Sequence, residues 1–227
     1  MTGGYRSLLD TTHRLASAHW QRYGDTRIIS HYGETGEQRE RALKHLACMD
    51  LSPLPRYGLK GAALNSSLVA KGLQVGEPSN RAYPQSDGSL IARLSPGELL
   101  ILANLLQAGR GAKSATMTDQ YECYTVNRLD SHYWFAIVGE KSSELLAKLC
   151  GVDFKPVVFA NHQVAQTQVA KTSAIVVRND LGTNPAYYLL GDSSCVMYIW
   201  DCLRQAMLEF KGQFIGMKAL IDAEDRT

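Results

Sequence analysis

The stretch His132-Tyr-Trp-Phe-Ala-Ile-Val-Gly-Glu-Lys-Ser-Ser-Glu-Leu-Leu-Ala-Lys-Leu-Cys-Gly-Val152 decides how the rest of the chain is read. Tyr133 to Val138 is an aromatic and β-branched run, the composition that a pleated strand selects. Gly139 interrupts it, and Glu140 stands where a carboxylate complements the positive end of a helix. Leu145, Leu146, Leu149 and Cys150 then recur at helical spacing as one apolar stripe. Gly151 lies just past the expected helix end, where glycine adopts a left-handed backbone most cheaply. Strand, glycine, helix, glycine is a compact unit, and the sequence holds a second version of it.

That second version is Pro55-Arg-Tyr-Gly-Leu-Lys-Gly-Ala-Ala-Leu-Asn-Ser-Ser-Leu-Val-Ala-Lys-Gly-Leu-Gln-Val75. Its Ser66 to Lys71 lies over Ser143 to Lys148, Val75 lies over Val152, and Gly61 matches Gly139 with one residue inserted. A Pro-containing loop and a hairpin pattern follow each helix. The first hairpin joins Leu90–Leu94 to Leu99–Leu102, and the second joins Val164–Val169 to Ala174–Val177. Two copies are too few for a solenoid. The fold class expected is α+β: a pseudo-duplicated pair of lobes, each a mixed or antiparallel sheet with packed helices.

Working outward, residues 1–44 read as an N-terminal helical extension. A helix to about residue 24 carries a stripe of Tyr5, Leu8, Leu9, Ala16 and Trp20; a short strand follows at Arg27–Ser30. A second helix spans Gly36–Ala47 with Ala42, Leu43 and Leu46 inward. Residues 45–106 form the first lobe, with Gly76–Ser89 a loop by its Gly, Pro, Asn and Ser content. Residues 107–120 read as a flexible connection and 121–212 as the second lobe. There Glu122–Arg128 is expected to pair with Tyr133–Val138 across a turn at Leu129–His132. A turn at Asn179–Pro185 leads to a strand at Tyr187–Leu190. Ser194 is the expected cap of a long helix, on which Cys195, Val196, Ile199, Cys202, Leu203, Ala206, Met207 and Phe210 form the stripe. Gly212 is its expected stop, and residues 213–227 read as a polar tail, disordered from Asp222 onward.

The totals narrow the function classes. Of 227 residues 45% are hydrophobic and 20% charged, with a net charge of +2, too small to argue for nucleic acid or an anionic membrane. The longest apolar run, Leu99 to Leu106, is broken by Asn104 and too short to span a bilayer. The first residues lack a hydrophobic signal core, so export is not expected. Five cysteines occur singly with no Cys-x-x-Cys, which disfavours a zinc or redox site and points to a reducing, cytoplasmic setting. His13 and His19 have no further ligands at metal-binding spacing. Lys113-Ser114 is not a phosphate loop, because Ala112 and Gln107 stand where glycines are required; Gly58-x-x-Gly61 lacks the third glycine of a dinucleotide fingerprint. Nucleophile elbows, zinc-binding His pairs and paired carboxylates are not found.

The segment Asp50-Leu-Ser-Pro-Leu-Pro-Arg-Tyr-Gly-Leu-Lys-Gly61, then Arg93-Leu-Ser-Pro-Gly-Glu-Leu-Leu-Ile-Leu102, Val138-Gly139 with Leu145–Ala147, Thr167, and Tyr198-Ile-Trp200 form an ordered set. Taken together they resemble the gamma subunits of heterotetrameric sarcosine oxidases, small relatives of the glycine-cleavage T-protein. The similarity covers roughly residues 45–210. It implies a T-protein-like fold without the C-terminal barrel, and a chain with no catalytic, cofactor-binding or metal-binding residues of its own. FAD, FMN, NAD and tetrahydrofolate would then sit on partner subunits, with alpha, beta and delta chains as the partners and an N-methyl amino acid such as sarcosine as substrate. Arg56, Lys60, Tyr133 and Trp134 are the candidate partner-contact residues, since arginine and aromatics anchor interfaces. The competing reading of Tyr133 and Trp134 is that they fill the core on alternate faces of one strand. The alternative function is a stand-alone folate-binding or aminomethyltransferase-type protein using the cleft between the repeats.

Overall fold

The computed structural model describes residues 5–62, 64, 68, 72–106 and 123–224, with side chains to residue 222. The connection 107–120, the Lys113-Ser114 pair, most of the first-lobe helix and residues 225–227 lie outside the described residues. The chain runs through α1 (Asp10–Leu15), β1 (His19–Tyr23), β2 (Thr26–His31), α2 (Gly36–His45), β3 (Ala47–Asp50) and β4 (Arg56–Gly61). Next come β5 (Arg81–Pro84), β6 (Leu90–Ser95), β7 (Glu98–Leu102), β8 (Cys123–Asn127), β9 (His132–Val138) and α3 (Ser142–Leu149). β10 (Val164–Val169), β11 (Thr172–Arg178), β12 (Ala186–Asp192), α4 (Val196–Glu209), β13 (Gln213–Phe214) and α5 (Lys218–Glu224) complete it.

The duplication read from the sequence is visible in the strand order. One sheet runs β10-β11-β12-β9-β3-β13 and the other β5-β6-β7-β4-β8. Each unit is a strand, a helical segment and three further strands, with the last strand returning antiparallel beside the first. In the first unit the helical segment is marked by Leu64 and Leu68. The hairpins expected from the sequence are both present, but they are not equivalent. β6–β7 is the second and third strand after its helix, whereas β10–β11 is the first and second. The missing equivalent is β5, which lies inside the stretch expected to be all loop. β5 is an edge strand, and only an edge tolerates Pro84 without losing a ladder hydrogen bond.

The strand before each unit crosses to the other sheet. β3 leads into β4 yet pairs with β9, and β8 leads into β9 yet pairs with β4. This overturns the expected hairpin of residues 122–128 with 133–138. The turn is there, closed by His132 N donating to Arg128 O at 3.2 Å, but the strands on either side of it part. β9 has apolar neighbours on both edges, β12 and β3. β8, with Tyr124, Thr125 and Asn127 exposed, suits a sheet margin. The strand pairing therefore does not follow the lobe boundaries drawn from the sequence.

Alternation along the strands fills three cores. Trp134, Ala136 and Val138 of β9 meet Ala92, Leu100 and Leu102 of the opposite sheet in the space between the sheets. Tyr133, Phe135 and Ile137 face the other way, against Leu145 and Leu146 of α3 and Ile199, Trp200 and Leu203 of α4. Leu64 and Leu68 cover Leu59, Ile91, Leu99 and Ile101 on the outer face of the second sheet. The result is helix, sheet, sheet, helix, with the two sheets packed face to face. At one margin they touch directly: Ala82 N donates to His162 O at 2.7 Å and Val164 N to Asn80 O at 3.0 Å.

Several local expectations change for identifiable reasons. The N-terminal helix is only α1; Ser17 takes a left-handed φ of 59°, and Trp20 continues into the β1–β2 hairpin, whose second strand contains the expected 27–30 segment. α2 begins at a capping box in which Thr35 and Gln38 satisfy each other's backbone N–H. Its end abuts Gly139, whose φ is +114° and where an added Cβ would lie 2.6 Å from the His45 carbonyl. α3 ends through an extended Cys150, so Gly151 does not supply the left-handed turn. Asp192, rather than Ser194, caps the turn leading into α4, and Lys211 with φ 53°, rather than Gly212, reverses the chain after it. The tail is ordered through α5. β13 adds a parallel strand beside β3, Ile215, Met217 and Leu220 are buried, and Asp222 accepts from Arg39 at 2.5 Å.

Candidate functional site

The two ends of the sandwich differ in chemistry. At the end where β6 begins and β7 finishes lies a cavity of about 680 Å³. Leu90 and Leu102, paired across the hairpin, form one wall; Leu43, Leu220 and Leu181 form the others. Asn104 is a structural post, its carboxamide donating to Asp87 O and accepting from Leu106 N, both at 2.7 Å. Asn179 donates to the Tyr188 hydroxyl at 3.0 Å. Tyr188 is the one ionisable side chain in the described lining, and burial pushes its phenol up to about 12. An adjoining depression shares Leu43, Thr183 and Asn184 and carries Glu40, Lys44 and Glu140.

The opposite end is closed by polar side chains. Asp50, fully buried, accepts from Ser7, from His13 Nε2 at 2.9 Å and from Ser52 N at 2.9 Å. Burial pushes its carboxyl up, but these hydrogen bonds and the nearby imidazole prevail, so it is held below the usual carboxylate range. Tyr32 hydrogen-bonds His13 Nδ1 at 2.9 Å. Serine, histidine and aspartate are thus brought together, but Ser7 and His13 share one carboxylate oxygen and the set is sealed from solvent. A nucleophile needs its hydroxyl proton taken by the imidazole, and this set instead fastens the N-terminal segment to β3.

Arg56 joins the two crossing turns. Its guanidinium donates to Ser52 O at 2.7 Å, Leu54 O at 2.9 Å, Leu129 O at 2.9 Å and His132 O. Burial lowers it to about 10, which leaves it cationic at neutral pH. Beside it, Arg128 lies across Gly58, donates to Glu98 at 2.5 Å and to His132 Nε2 at 2.9 Å. A guanidinium only donates, so the network assigns His132 a neutral ring with its proton on Nδ1, towards Ser131 Oγ at 2.9 Å. Burial, with Arg128 second, lowers His132 to about 4, which agrees. Lys60 completes the cluster, 3.2 Å from Glu98.

Of the four residues expected to meet a partner, Arg56, Tyr133 and Trp134 have no exposed surface. Tyr133 and Trp134 point to opposite faces of β9, each into a core. Lys60 alone presents its side chain to solvent. Tyr124, its cross-strand partner on β8, is exposed as well, and further exposed apolar side chains lie elsewhere, including Leu15 on α1 and Met197 and Tyr198 on the first turn of α4, with Thr12 contacting Met197. The leucines of the cavity carry no sequence signal, since each reads as an ordinary core residue. All five cysteines are free, and among the described residues no three His, Cys, Asp or Glu side chains gather as a metal site needs. No helix among them is long and apolar enough to cross a membrane.

No protein-family model matches the sequence, and no curated protein is significantly similar to it. Solved structures are similar in fold. The glycine cleavage system aminomethyltransferase T from Bartonella henselae superposes with a TM-score of 0.73 at 16% identity, over 96% of this chain and 61% of that one. The chain thus spans under two thirds of that protein's length. A chain of the heterotetrameric sarcosine oxidase from Corynebacterium sp. U-96, in complex with pyrrole 2-carboxylate, superposes with a TM-score of 0.60 at 17% identity. That match covers 89% of this chain and 92% of the other. The fold is T-protein-like.

Proposed function

We propose that the chain is a non-catalytic, gamma-type subunit of a sarcosine oxidase-like complex in the cytoplasm. Its role is to hold flavin-carrying alpha and beta subunits, alongside a small delta subunit, in an assembly that oxidatively demethylates sarcosine or a related N-methyl amino acid. FAD, FMN, NAD and tetrahydrofolate belong to those partners. The observation that carries this reading is the interlobe cavity, whose described walls are leucines, carboxamides, the Thr183 hydroxyl and the Tyr188 phenol, which burial holds protonated, with no carboxylate, imidazole or ammonium beside them to move a proton. The near end-to-end match to a chain of a heterotetrameric oxidase supports it. The contact surface falls on Lys60 and on the exposed Leu15, Met197 and Tyr198.

The higher TM-score to an aminomethyltransferase supports a second reading, a stand-alone folate-binding or aminomethyltransferase-type protein. Affinity purification of the tagged full chain from its native cell separates the two. Recovery with a yellow, flavin-containing partner is the expected result. Recovery alone, together with micromolar binding of tetrahydrofolate by the isolated chain, would overturn the subunit reading in favour of the second.

A further inference from the structure

We propose that the cavity between the sheets is a binding site for an uncharged, largely apolar small molecule. Its volume of about 680 Å³ lies in the range that encloses such ligands. Leu43, Leu90, Leu102, Leu181 and Leu220 supply a continuous apolar wall from five separate parts of the chain. The polar groups that remain are neutral and few. Asn104 has both ends of its carboxamide committed to the backbone. The Asn184 side chain, which makes no hydrogen bond among the described residues, Thr183 and the Asn179–Tyr188 pair are left to orient an amide or hydroxyl.

Charge selects against other ligand classes. Glu40, Lys44 and Glu140 lie in the adjoining depression, and the described residues that line the chamber include no charged side chain. A carboxylate or ammonium drawn against the apolar wall would lose hydration without an ion pair to replace it. The anionic glutamyl tail of tetrahydrofolate would find no cationic partner among the described residues that line the chamber. The site is independent of the subunit reading: it depends on the walls of this chain alone, whereas co-purification tests the assembly.

Two dyes that differ by one sulfonate test it on the full chain: N-phenyl-1-naphthylamine, which is uncharged, and 8-anilinonaphthalene-1-sulfonate. The uncharged dye is expected to bind saturably, one per chain, and at least about tenfold tighter than the sulfonate, a difference of about 1.4 kcal/mol. Leu181→Trp and Leu106→Trp add bulk at two lining positions from different parts of the chain, both with solvent exposure. Each is expected to weaken the uncharged dye by about tenfold with the melting profile unchanged; if one fails to fold, the other carries the test. Equal affinity for the two dyes would overturn the proposal. So would wild-type affinity in a folded filled variant, or displacement of the dye by micromolar tetrahydrofolate.

Discussion

The two ends of the sandwich are built from corresponding strand termini and finished in opposite ways. At one end, Leu90, Leu102 and Tyr188 surround unfilled space. At the other, Asp50, Arg56, Arg128, Glu98 and His132 are interlocked by hydrogen bonds, with the Nε atoms of Arg56 and Arg128 the buried donors left without a partner. Apolar side chains that do not interdigitate leave a chamber at modest cost, because no group loses a hydrogen bond. Polar side chains cannot be left that way, since each buried unpaired group costs about 1–3 kcal/mol. The closed end fixes the geometry of the crossing turns, and the open end is free to accept a ligand.

Substitutions should reproduce that contrast. Arg56→Met strands four backbone carbonyls at the closed end and is expected to cost about 3–5 kcal/mol in urea denaturation; a loss below about 1 kcal/mol would remove the distinction between the ends. Asp50→Ala leaves His13 and Ser7 facing an empty site, with an expected cost of about 3 kcal/mol. The wild type should also lose stability in strong acid, as the pH falls through the depressed pKa of Asp50, and the variant should lack that loss.

A smaller effect is expected from His132. Its folded pKa of about 4 lies below the ordinary 6.5, so between these values the unfolded chain binds more protons than the folded one. Stability is complete above pH 6.5 and declines as the pH falls towards 4. The decline should reach about 1–2 kcal/mol once solvent screening of a partly exposed ring is allowed for. Denaturation midpoints of His132→Gln should fall less steeply across that window, with the remaining slope left to His162, whose imidazole burial also lowers. The smallest effect belongs to the open end, where Leu181→Ala should cost less than about 1 kcal/mol. A cost matching that of Arg56→Met would show that the chamber wall is as tightly coupled as the polar end.

Local periodicity made much of the fold legible. β9, α3, the β6–β7 hairpin and α4 each declare themselves within a dozen residues, because alternation or helical spacing is a property of the segment itself. The exchange of β3 and β8 is not such a property. Which edge a strand joins depends on what the other edges already hold, and nothing within residues 123–138 records that β9 is flanked by β12 and β3. Residue type alone marks Tyr133 and Trp134 as contact candidates, whereas their alternation along a strand covered on both faces argues for burial. The cavity was illegible for another reason: Leu43, Leu90, Leu102, Leu181 and Leu220 become neighbours only when both sheets and α5 are in place.

The reciprocal loan of β3 and β8 has a consequence for the halves taken singly. A fragment carrying only the second unit would keep β8 but lack β4, the strand to which β8 is paired. Its sheet would in turn lack β3 beside β9. The vacancy and the loose strand belong to the same fragment but point in different directions, so one copy can complete another and not itself. Two such fragments side by side would restore the sandwich, as in domain-swapped dimers. The single polypeptide can accordingly be regarded as a pair of swapped protomers joined end to end.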